Sequence, residues 1–321
     1  MKLHAVVLEH AAAFIGRTPW DVSRDADLLA AAQIAAYRVY GQQPITCGID
    51  VYNVEAEAWG AQVETHDPLG APVLGNPLFS DLGPILDLPT LDLERDGRLP
   101  MLLAAARKIA AELPDAPLRI PLAGPFSIAV ALMGFETLLM EMLDNEEAVQ
   151  KALQKLGEHQ AHLCAQIAER GFQTTIYESG AAPPLVSPEM FSALVAPALI
   201  PILEAGRKVG KPVACIIGGD IAPIVEKLLE CRPAAVICPA ETDQEQFMRK
   251  AANWPDIAVR MNLPAGLMAS GDEAALQREI ERLSPLARLH PLGSLGTGVL
   301  PYDSRPEAVL ALSRFAESLD D

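Results

Sequence analysis

The sequence lacks the long apolar runs and the basic clusters that mark two large classes of protein. No stretch of eighteen or more uncharged apolar residues occurs in the 321 residues, which argues against a membrane-spanning helix. Lysine and arginine total 25 against 42 aspartate and glutamate residues, a net charge of −17, and they form no stripe for phosphates. We therefore expect no nucleic acid and no membrane among the partners.

Cysteine is scarce and gives no sign of a disulfide framework or of a local metal motif. The five cysteines are scattered without a CxxC pair, and neither HxH nor HExxH occurs. The start, MKLHAVVLEHAAAF, lacks the basic flank and the continuous apolar segment of a signal peptide. The expected location is therefore cytoplasmic, with the thiols reduced.

Nucleotide-binding loops are missing too, although helical and extended patterns alternate along the chain. No GxGxxG follows a strand, and there is no P-loop. Short apolar runs bounded by Gly, Pro or Asp alternate with helical periodicity, as in parallel α/β proteins. These runs predict seven strands, at 45–52, 118–123, 174–178, 212–218, 234–238, 257–262 and 289–296. An eighth is expected in the Pro-rich region 65–95.

The number and order of these units favour a closed ring of strands over an open, doubly wound sheet. We predict an α/β fold, a (β/α)8 TIM barrel, as a single domain over residues 1–321 with an N-terminal helical extension. Half of the residues are apolar, which is enough for one large core. Catalytic groups of such barrels lie at the carboxyl ends of the strands, so those positions supply the candidates.

Three acidic residues at strand ends are the catalytic candidates: Glu178, Asp220 and Glu241. Glu178 ends a buried strand, where a carboxylate must be paired, hydrated or used. Asp220 follows the next strand, and period-two alternation puts it on the face opposite to Cys215. Glu241 lies in a loop, where it binds either ligand or only solvent.

Further strand ends supply candidates for substrate binding. Asp50 closes the first predicted strand and Glu55 lies at the start of the helix after it, whereas Glu57 is better explained as a charge near that helix N-terminus. Asn262 ends a later strand and either binds substrate or caps a turn. Ser187 is predicted to be a helix N-cap, because Pro188 follows it at the first helical position.

Two residues are candidate metal ligands, although no local spacing supports a metal site. Cys238 ends a strand and offers a soft ligand, but a lone strand cysteine is commonly an inert small apolar residue. His290 lies near the last predicted strand, where its imidazole either binds metal, moves a proton or fills the core. Any metal would need ligands gathered from separate strands.

Several segments together resemble the uroporphyrinogen decarboxylase superfamily, which contains the decarboxylase and cobalamin-dependent methyltransferases. They are GPFSIAVALMGFETLLMEMLDNEEAVQKAL at 124–153, LVSPEMFSALVAPALIPILEAGRKVGKPV at 185–213, and RMNLPAGLMASG with YDSRPEAVLAL near the end. The resemblance implies a (β/α)8 barrel with its site at the carboxyl ends of the strands. It covers most of residues 45–315.

Two departures from the family patterns narrow the expected activity. The decarboxylase carries an N-terminal FMRQAGR segment, where this chain has IGRTPWDVSRD, so it lacks cations for a substrate with many carboxylates. YNVEAEAWG resembles the methyltransferase branch instead. The zinc ligands of its coenzyme M methyltransferases, an HxC and a last Cys, fall on Ile216, Gly218 and near Gly298 here, so that zinc site is missing.

The resemblance therefore implies a corrinoid-protein-dependent methyltransferase. A small methylated donor, such as a methoxylated aromatic (an O-demethylase reaction) or a methylamine, would give its methyl group to a corrinoid carried by a partner protein, because this chain has no DxHxxG-type motif. Zinc held by other ligands and a homodimer are left open. The alternatives are a decarboxylase or lyase acting on another substrate and a catalytically inactive binding subunit.

Overall fold

Ten short strands, most of them apolar, form the sheets of this protein. The structure, a computed structural model, describes residues 1–319. The strands in chain order are β1 (Leu3–Val6), β2 (Ile45–Thr46), β3 (Val63–Glu64), β4 (Val73–Leu74), β5 (Leu118–Ala123), β6 (Gln173–Tyr177), β7 (Ala214–Ile216), β8 (Ala235–Cys238), β9 (Ala258–Asn262) and β10 (Gly293–Val299). All but β3 and β4 pair in parallel, whereas those two form an antiparallel hairpin.

The eight parallel strands form two four-stranded sheets. Their orders are β1-β10-β9-β8 and β2-β5-β6-β7. The backbone N–H of Ala234 donates to the carbonyl of Val213 over 2.7 Å and links the sheets beside β7 and β8. No ladder pair joins β1 to β2 in residues 1–319. The strand order is that of a (β/α)8 barrel, and the predicted α/β class is confirmed.

Helices connect the strands and cover the sheets. They are α1 (His10–Ala13), α2 (Pro19–Arg24), α3 (Ala26–Tyr40), α4 (Val54–Ala58), α5 (Gly83–Leu86), α6 (Leu99–Glu112), α7 (Pro125–Met133), α8 (Phe135–Asp144), α9 (Glu146–Glu169), α10 (Pro188–Met190), α11 (Ala196–Lys208), α12 (Val225–Glu230), α13 (Gln244–Ala251), α14 (Ala265–Ser270), α15 (Glu273–Ala287) and α16 (Pro306–Ser318). A 3₁₀ turn spans Ser179–Ala181, and a π-helical segment, Phe191–Val195, joins α10 to α11.

The continuous helix 188–208 combines α10, the π-helical segment and α11. The Ser187 side chain accepts a hydrogen bond from the N–H of Met190, with Pro188 in the first turn, so the predicted N-cap is confirmed. The helix is long and apolar enough to cross a membrane by length and composition, as are α7 and α8 taken together across their bend. In this structure, helix 188–208 packs on α9, and 44% of its most apolar 18-residue stretch is buried.

The eighth strand is not where the sequence pattern placed it. Region 65–95 contributes β4 and α5 but no strand of the two parallel sheets, so that prediction is wrong. The missing strand is β1, in which Leu3 lies opposite Leu295 of β10. The segment expected to be only a helical extension therefore begins inside the sheet, and α3 is the helix that leads from β1 to β2.

Candidate functional site

A cavity opens at the carboxyl ends of the parallel strands, where barrel enzymes carry their sites. Its volume is about 270 Å³. We call it the mouth cavity, and its lining residues are Leu8, Val51, Tyr52, Tyr177, Ser179, Ile216, Gly218, Ile237, Pro239, Ala240, Glu241, Asn262, Leu263, Ala265, Gly298 and Val299. Most are apolar or small, none is Lys or Arg, and one is a carboxylate. This lining suits a small, largely apolar molecule.

A hydrogen-bonded tyrosine and serine form the polar centre of the mouth cavity. The hydroxyl of Tyr52 donates to Ser179 Oγ over 2.8 Å, and the N–H of Gly218 donates to the same oxygen over 2.9 Å. Two donors thus occupy the acceptor positions of Ser179 Oγ, which leaves its own hydrogen free to point elsewhere. Because Ser179 lines the cavity, that hydrogen is available to a bound molecule.

Burial keeps the phenol of Tyr52 protonated. Desolvation, partly offset by the hydrogen bond to Ser179, raises the pKa of Tyr52 to about 12. Its ring meets that of Tyr177 edge to face, with the centroids 6.0 Å apart. Burial also raises the pKa of Tyr177. Both rings therefore contribute neutral hydroxyl groups and apolar surface.

Of the three catalytic candidates, the mouth cavity contains Glu241 alone. Glu241 is exposed at its rim. Asp220 is exposed as well, and its Oδ1 accepts a hydrogen bond from the Thr242 hydroxyl over 2.9 Å. That hydroxyl also accepts from the N–H of Ala222 over 2.8 Å, so Asp220 braces the loop after β7 against the loop after β8.

Glu178 lies outside the mouth cavity, on the helix side of the sheet. Its Oε1 accepts the N–H of Ser127, in the first turn of α7, over 2.8 Å, while Oε2 is buried without a partner. A Cβ at Gly124 would overlap the carboxyl group, so only glycine fits there. Burial raises the pKa of Glu178 to about 8. Glu178 caps α7 and holds the start of the loop that carries Ser179.

Glu55 and Asp50 also bind protein groups rather than the mouth cavity. Glu55 is fully buried, and its Oε1 accepts from the N–H of Ala123 at 2.9 Å and from Gln160 Nε2 at 2.6 Å. Burial raises its pKa to about 7. Asp50 forms a bidentate ion pair with Arg98, whose two terminal nitrogens donate to the carboxylate oxygens over 2.9 and 2.6 Å. Asp50 lines a separate cavity of about 390 Å³ beside the mouth.

Arg98 joins several acidic groups into one buried network. Besides Asp50, its guanidinium binds Glu57, which also binds Arg24. Glu57 lies in the first turn of α4, in agreement with its interpretation as a helix N-terminal charge. The ion pair with Arg98 compensates the negative charge of the buried Asp50 carboxylate.

Asn262 lies in the lining of the mouth cavity, as a substrate-binding residue should. Its Oδ1 accepts a hydrogen bond from Arg260 Nε at 3.3 Å, and its backbone carbonyl accepts from Gln244 at 3.0 Å. The side-chain amide nitrogen of Asn262 is left for a ligand or for water.

The two candidate metal ligands lie apart from the mouth cavity. Cys238 is fully buried, and its neighbours Ile237 and Pro239 are the ones in the lining, so alternation turns the thiol toward the helices. His290 precedes β10, at the opposite end of the strands. Its Nδ1 accepts the N–H of Leu292 at 3.2 Å, and its Nε2 donates to the carbonyl of Trp254 at 3.2 Å.

The residues present do not fit a zinc ion of the kind found in the coenzyme M enzymes. Those ligands fall on Ile216 and Gly218 and near Gly298, and these three residues all line the mouth cavity and offer no side-chain donor atom. Within residues 1–319, no group of three or more His, Cys, Asp or Glu side chains is arranged to hold a metal ion. These residues therefore support no zinc-dependent step.

Comparison with known proteins places the chain in a family. The sequence pattern of the family described as uroporphyrinogen decarboxylase (URO-D) matches residues 4–319. This chain belongs to the uroporphyrinogen decarboxylase family. The resemblance drawn from its motifs is thereby confirmed, over nearly the whole length.

A solved structure agrees with the family's fold. A methyltransferase from Methanosarcina mazei superposes on this chain with a TM-score of 0.85 at 17% sequence identity, covering 100% of this chain and 95% of that one. At such low identity, the likeness shows the fold alone. No curated protein matches the chain in sequence.

Sequence reasoning missed the residues that form the polar centre of the mouth cavity. Tyr52 ends the predicted strand 45–52 and begins the segment YNVEAEAWG, while Tyr177 and Ser179 stand on either side of Glu178. Alternation along β6 was the available signal for Tyr177, because Thr175 and Tyr177 both face the barrel interior.

Proposed function

We propose that this protein transfers a methyl group from a small O-, N- or S-methylated donor to a corrinoid carried by a partner protein. The observation that carries the proposal is the lining of the mouth cavity, apolar around one Tyr52–Ser179 pair and without Lys or Arg. A porphyrinogen with many carboxylates needs several cations at its site, which this lining does not offer. Family membership and the fold of the methyltransferase from Methanosarcina mazei support the same proposal.

In this proposal the donor lies in the mouth cavity with its methyl group toward solvent. The corrinoid, when its partner is docked, supplies the reduced metal that accepts the methyl group. The bond between the methyl carbon and the heteroatom breaks, and its electron pair stays on the heteroatom. Ser179 donates a proton to that heteroatom, and the Tyr52 hydroxyl hydrogen-bonded to it restores the serine proton. Water at the open mouth then returns a proton to Tyr52, so that both hydroxyl groups are neutral again.

The acidic candidates take different parts in this proposal. Glu241, at the rim, is placed to contact donor or partner, and Asn262 offers its amide to the donor. Asp220 acts as a positioning residue through Thr242, and Glu178 through Ser127 and the loop that carries Ser179. Glu55 and Asp50 stabilise the surroundings of the site.

The test uses purified full-length protein, free reduced cobalamin as acceptor, and a panel of donors with isotope-labelled methyl groups. The panel contains methoxylated aromatics, methylamines and methyl thioethers. We expect enzyme-dependent transfer of label to the corrinoid from at least one class. If no donor transfers label while carboxylated analogues release carbon dioxide, the chain is a decarboxylase; if neither occurs, it is a binding subunit.

The variant Tyr52→Phe tests the proton path. Removing the hydroxyl takes away the group that restores the Ser179 proton, so we expect kcat to fall about 100-fold with KM little changed. Tyr37→Phe, on α3 and away from the mouth cavity, is the matched control and should keep full activity. Equal activity of the two variants would remove Tyr52 from the mechanism.

A further inference from the structure

The interior of the barrel carries positive charge in a protein that is strongly negative overall. Of all Asp, Glu, Lys and Arg residues, the eight parallel strands contain just two, Arg119 on β5 and Arg260 on β9. No acidic residue lies on any of these strands. The net charge of the chain is −17, so the strands carry charge of the opposite sign to the protein as a whole.

Both arginines face two adjoining cavities inside the barrel. These have volumes of about 190 and 30 Å³, and each is lined by both side chains. We call them together the inner cavity. His4, Ala235, Ala258 and Ser294, from the first residues of their strands, place its larger part at the amino-terminal end of the barrel.

Neither guanidinium has an acidic partner among residues 1–319. Arg119 Nε donates to Gln173 Oε1 at 3.3 Å, and Arg260 Nε donates to Asn262 Oδ1 at 3.3 Å. Their terminal N–H groups have no acceptor in that part of the chain. Each guanidinium therefore keeps several donors directed at the inner cavity.

Other polar groups around the inner cavity are unpartnered as well. Gln42 is 3% exposed and lines the smaller part, and neither its amide oxygen nor its amide nitrogen has a partner among the residues that the structure describes. The Nδ1 of His4, which lines the larger part, is buried and unpaired. Buried polar groups are normally satisfied, so several orphan groups around one space indicate an occupant.

Two charges of the same sign inside a protein are costly without a counter-ion. Desolvation lowers the pKa of both Arg119 and Arg260, and the charge of Arg119 lowers the pKa of Arg260 further. An arginine nevertheless stays protonated, so the charge cannot be relieved by proton loss. Both side chains are half-buried, so each charge has lost part of its water, a cost that a bound anion would offset.

The backbone makes room for one of the two side chains. A Cβ at Gly296 of β10 would lie 2.7 Å from Arg260 Cδ and 2.9 Å from its Nε. The stem of Arg260 therefore lies against bare backbone, and any larger residue would displace it. This close fit shows that the position of Arg260 is determined by its neighbour on β10.

We propose that Arg119 and Arg260 form a binding site for an oxyanion of carboxylate size in the inner cavity. Tyr177 and Ile216 line both this cavity and the mouth cavity, so a donor with an acidic group would reach the arginines while its methyl group stays at the mouth. This second part rests on the proposed function. A free inorganic anion is the other source of the same chemistry.

The first experiment needs no enzymatic activity. Wild-type protein is titrated with acetate, sulfate and the neutral analogue acetamide at constant ionic strength, and binding heat and melting temperature are recorded. We expect saturable binding and a raised melting temperature with an oxyanion but not with acetamide. Identical behaviour of all three, or binding of none, would overturn the proposal.

Variants assign the binding to the two side chains. Arg119→Met and Arg260→Met should each weaken oxyanion binding at least about tenfold, because each removes charge-assisted donors. Gly296→Ala keeps both arginines but displaces Arg260, and it should weaken binding too. Arg107→Met removes an exposed arginine paired with Glu94 and should change nothing. Unchanged binding in the first three variants would contradict the site.

A kinetic arm distinguishes the two sources of the anion. A methoxylated aromatic acid is compared with its carboxamide as methyl donor. If the donor supplies the anion, Arg260→Met raises the KM of the acid and leaves that of the amide unchanged. If both donors respond alike while acetate or sulfate still binds, the occupant is a free anion. If no donor transfers its methyl group, the proposed function fails, and the titration with acetate, sulfate and acetamide alone decides whether the oxyanion site exists.

Discussion

Glu178 is a carboxyl group held where water does not reach. It is fully buried, one oxygen binds Ser127, and the other has no partner. Burial raises its pKa from an ordinary value of 4.5 to about 8, so the folded protein keeps this group protonated at neutral pH. The unfolded chain loses that proton at much lower pH.

This difference makes stability depend on pH. Between about pH 4.5 and 8 the folded state holds one proton that the unfolded state has lost, so the free energy of unfolding falls as pH rises, by up to about 1.4 kcal/mol per pH unit. Glu178→Gln should remove this part of the pH dependence. Compared with the wild type, the variant should therefore be more stable at pH 8 than it is at pH 5. Urea unfolding at both pH values measures it.

A control separates the effect from other carboxylates. Glu281→Gln changes an exposed side chain on α15, and its unfolding profile should stay parallel to that of the wild type. Parallel profiles for Glu178→Gln as well would show that Glu178 is ionised in the folded protein.

For single residues, the sequence predicts which strand ends lie near the mouth cavity but not which side chains point into it. Glu178 ends the predicted strand 174–178 and directly follows β6, yet alternation turns Tyr177 inward and Glu178 toward α7. Asp50 closes the predicted strand 45–52, and nothing in the sequence identifies its ion-pair partner Arg98, far along the chain. Charge pairing across long sequence separations needs the folded structure.

Among the elements, α9 and α11 form a close helix pair. Gly157 on α9 faces the backbone of α11, and a Cβ there would overlap the carbonyl oxygen of Ala198. The glycine thus sets the distance between the two helices, of which α9 packs on β6. A backbone oxygen cannot move aside as a flexible side chain can.

Gly157→Ala should therefore force α9 and α11 apart. We expect the free energy of unfolding to fall by about 1–3 kcal/mol, the usual cost of overpacking. Gly266→Ala, on α14 with nothing within 4 Å of the added carbon, is the matched control and should be neutral or slightly stabilising. Urea unfolding compares them, and equal stabilities would mean that the helix pair adjusts freely.

Most elements were predictable because their apolar spacing is strong. The predicted strand 118–123 coincides with β5, and the predicted strand 257–262 contains β9. β1 was missed because its four residues precede a run of alanines that favours helix, and only pairing with β10 makes it a strand. β2 retains two paired residues of the eight predicted, since the rest turns into the loop that carries Asp50 and Tyr52.

For the whole molecule, the excess of acidic residues is a property of the surface. The net charge is −17, while the parallel strands contribute two arginines and no acid. Like charges on the surface repel one another more strongly in the compact state than in the expanded unfolded chain.

Salt should therefore stabilise the folded protein. Raising sodium chloride from about 10 to 150 mM shortens the screening length to about 8 Å, and we expect the free energy of unfolding at pH 7 to rise by about 1 kcal/mol. Urea unfolding at the two concentrations measures it. Arg260→Met keeps the same surface charges, so screening should raise its free energy of unfolding as well. An additional increase seen in the wild type alone would report chloride bound in the inner cavity. No increase in either protein would contradict the repulsion.

The contact between Gly296 and Arg260 has a consequence for descent. A lineage that gained a side chain at position 296 would crowd the arginine stem, so selection would have to replace the arginine at nearly the same time or lose what it holds. The two positions should therefore be inherited together, glycine beside arginine, and should change together where the barrel has been put to another use.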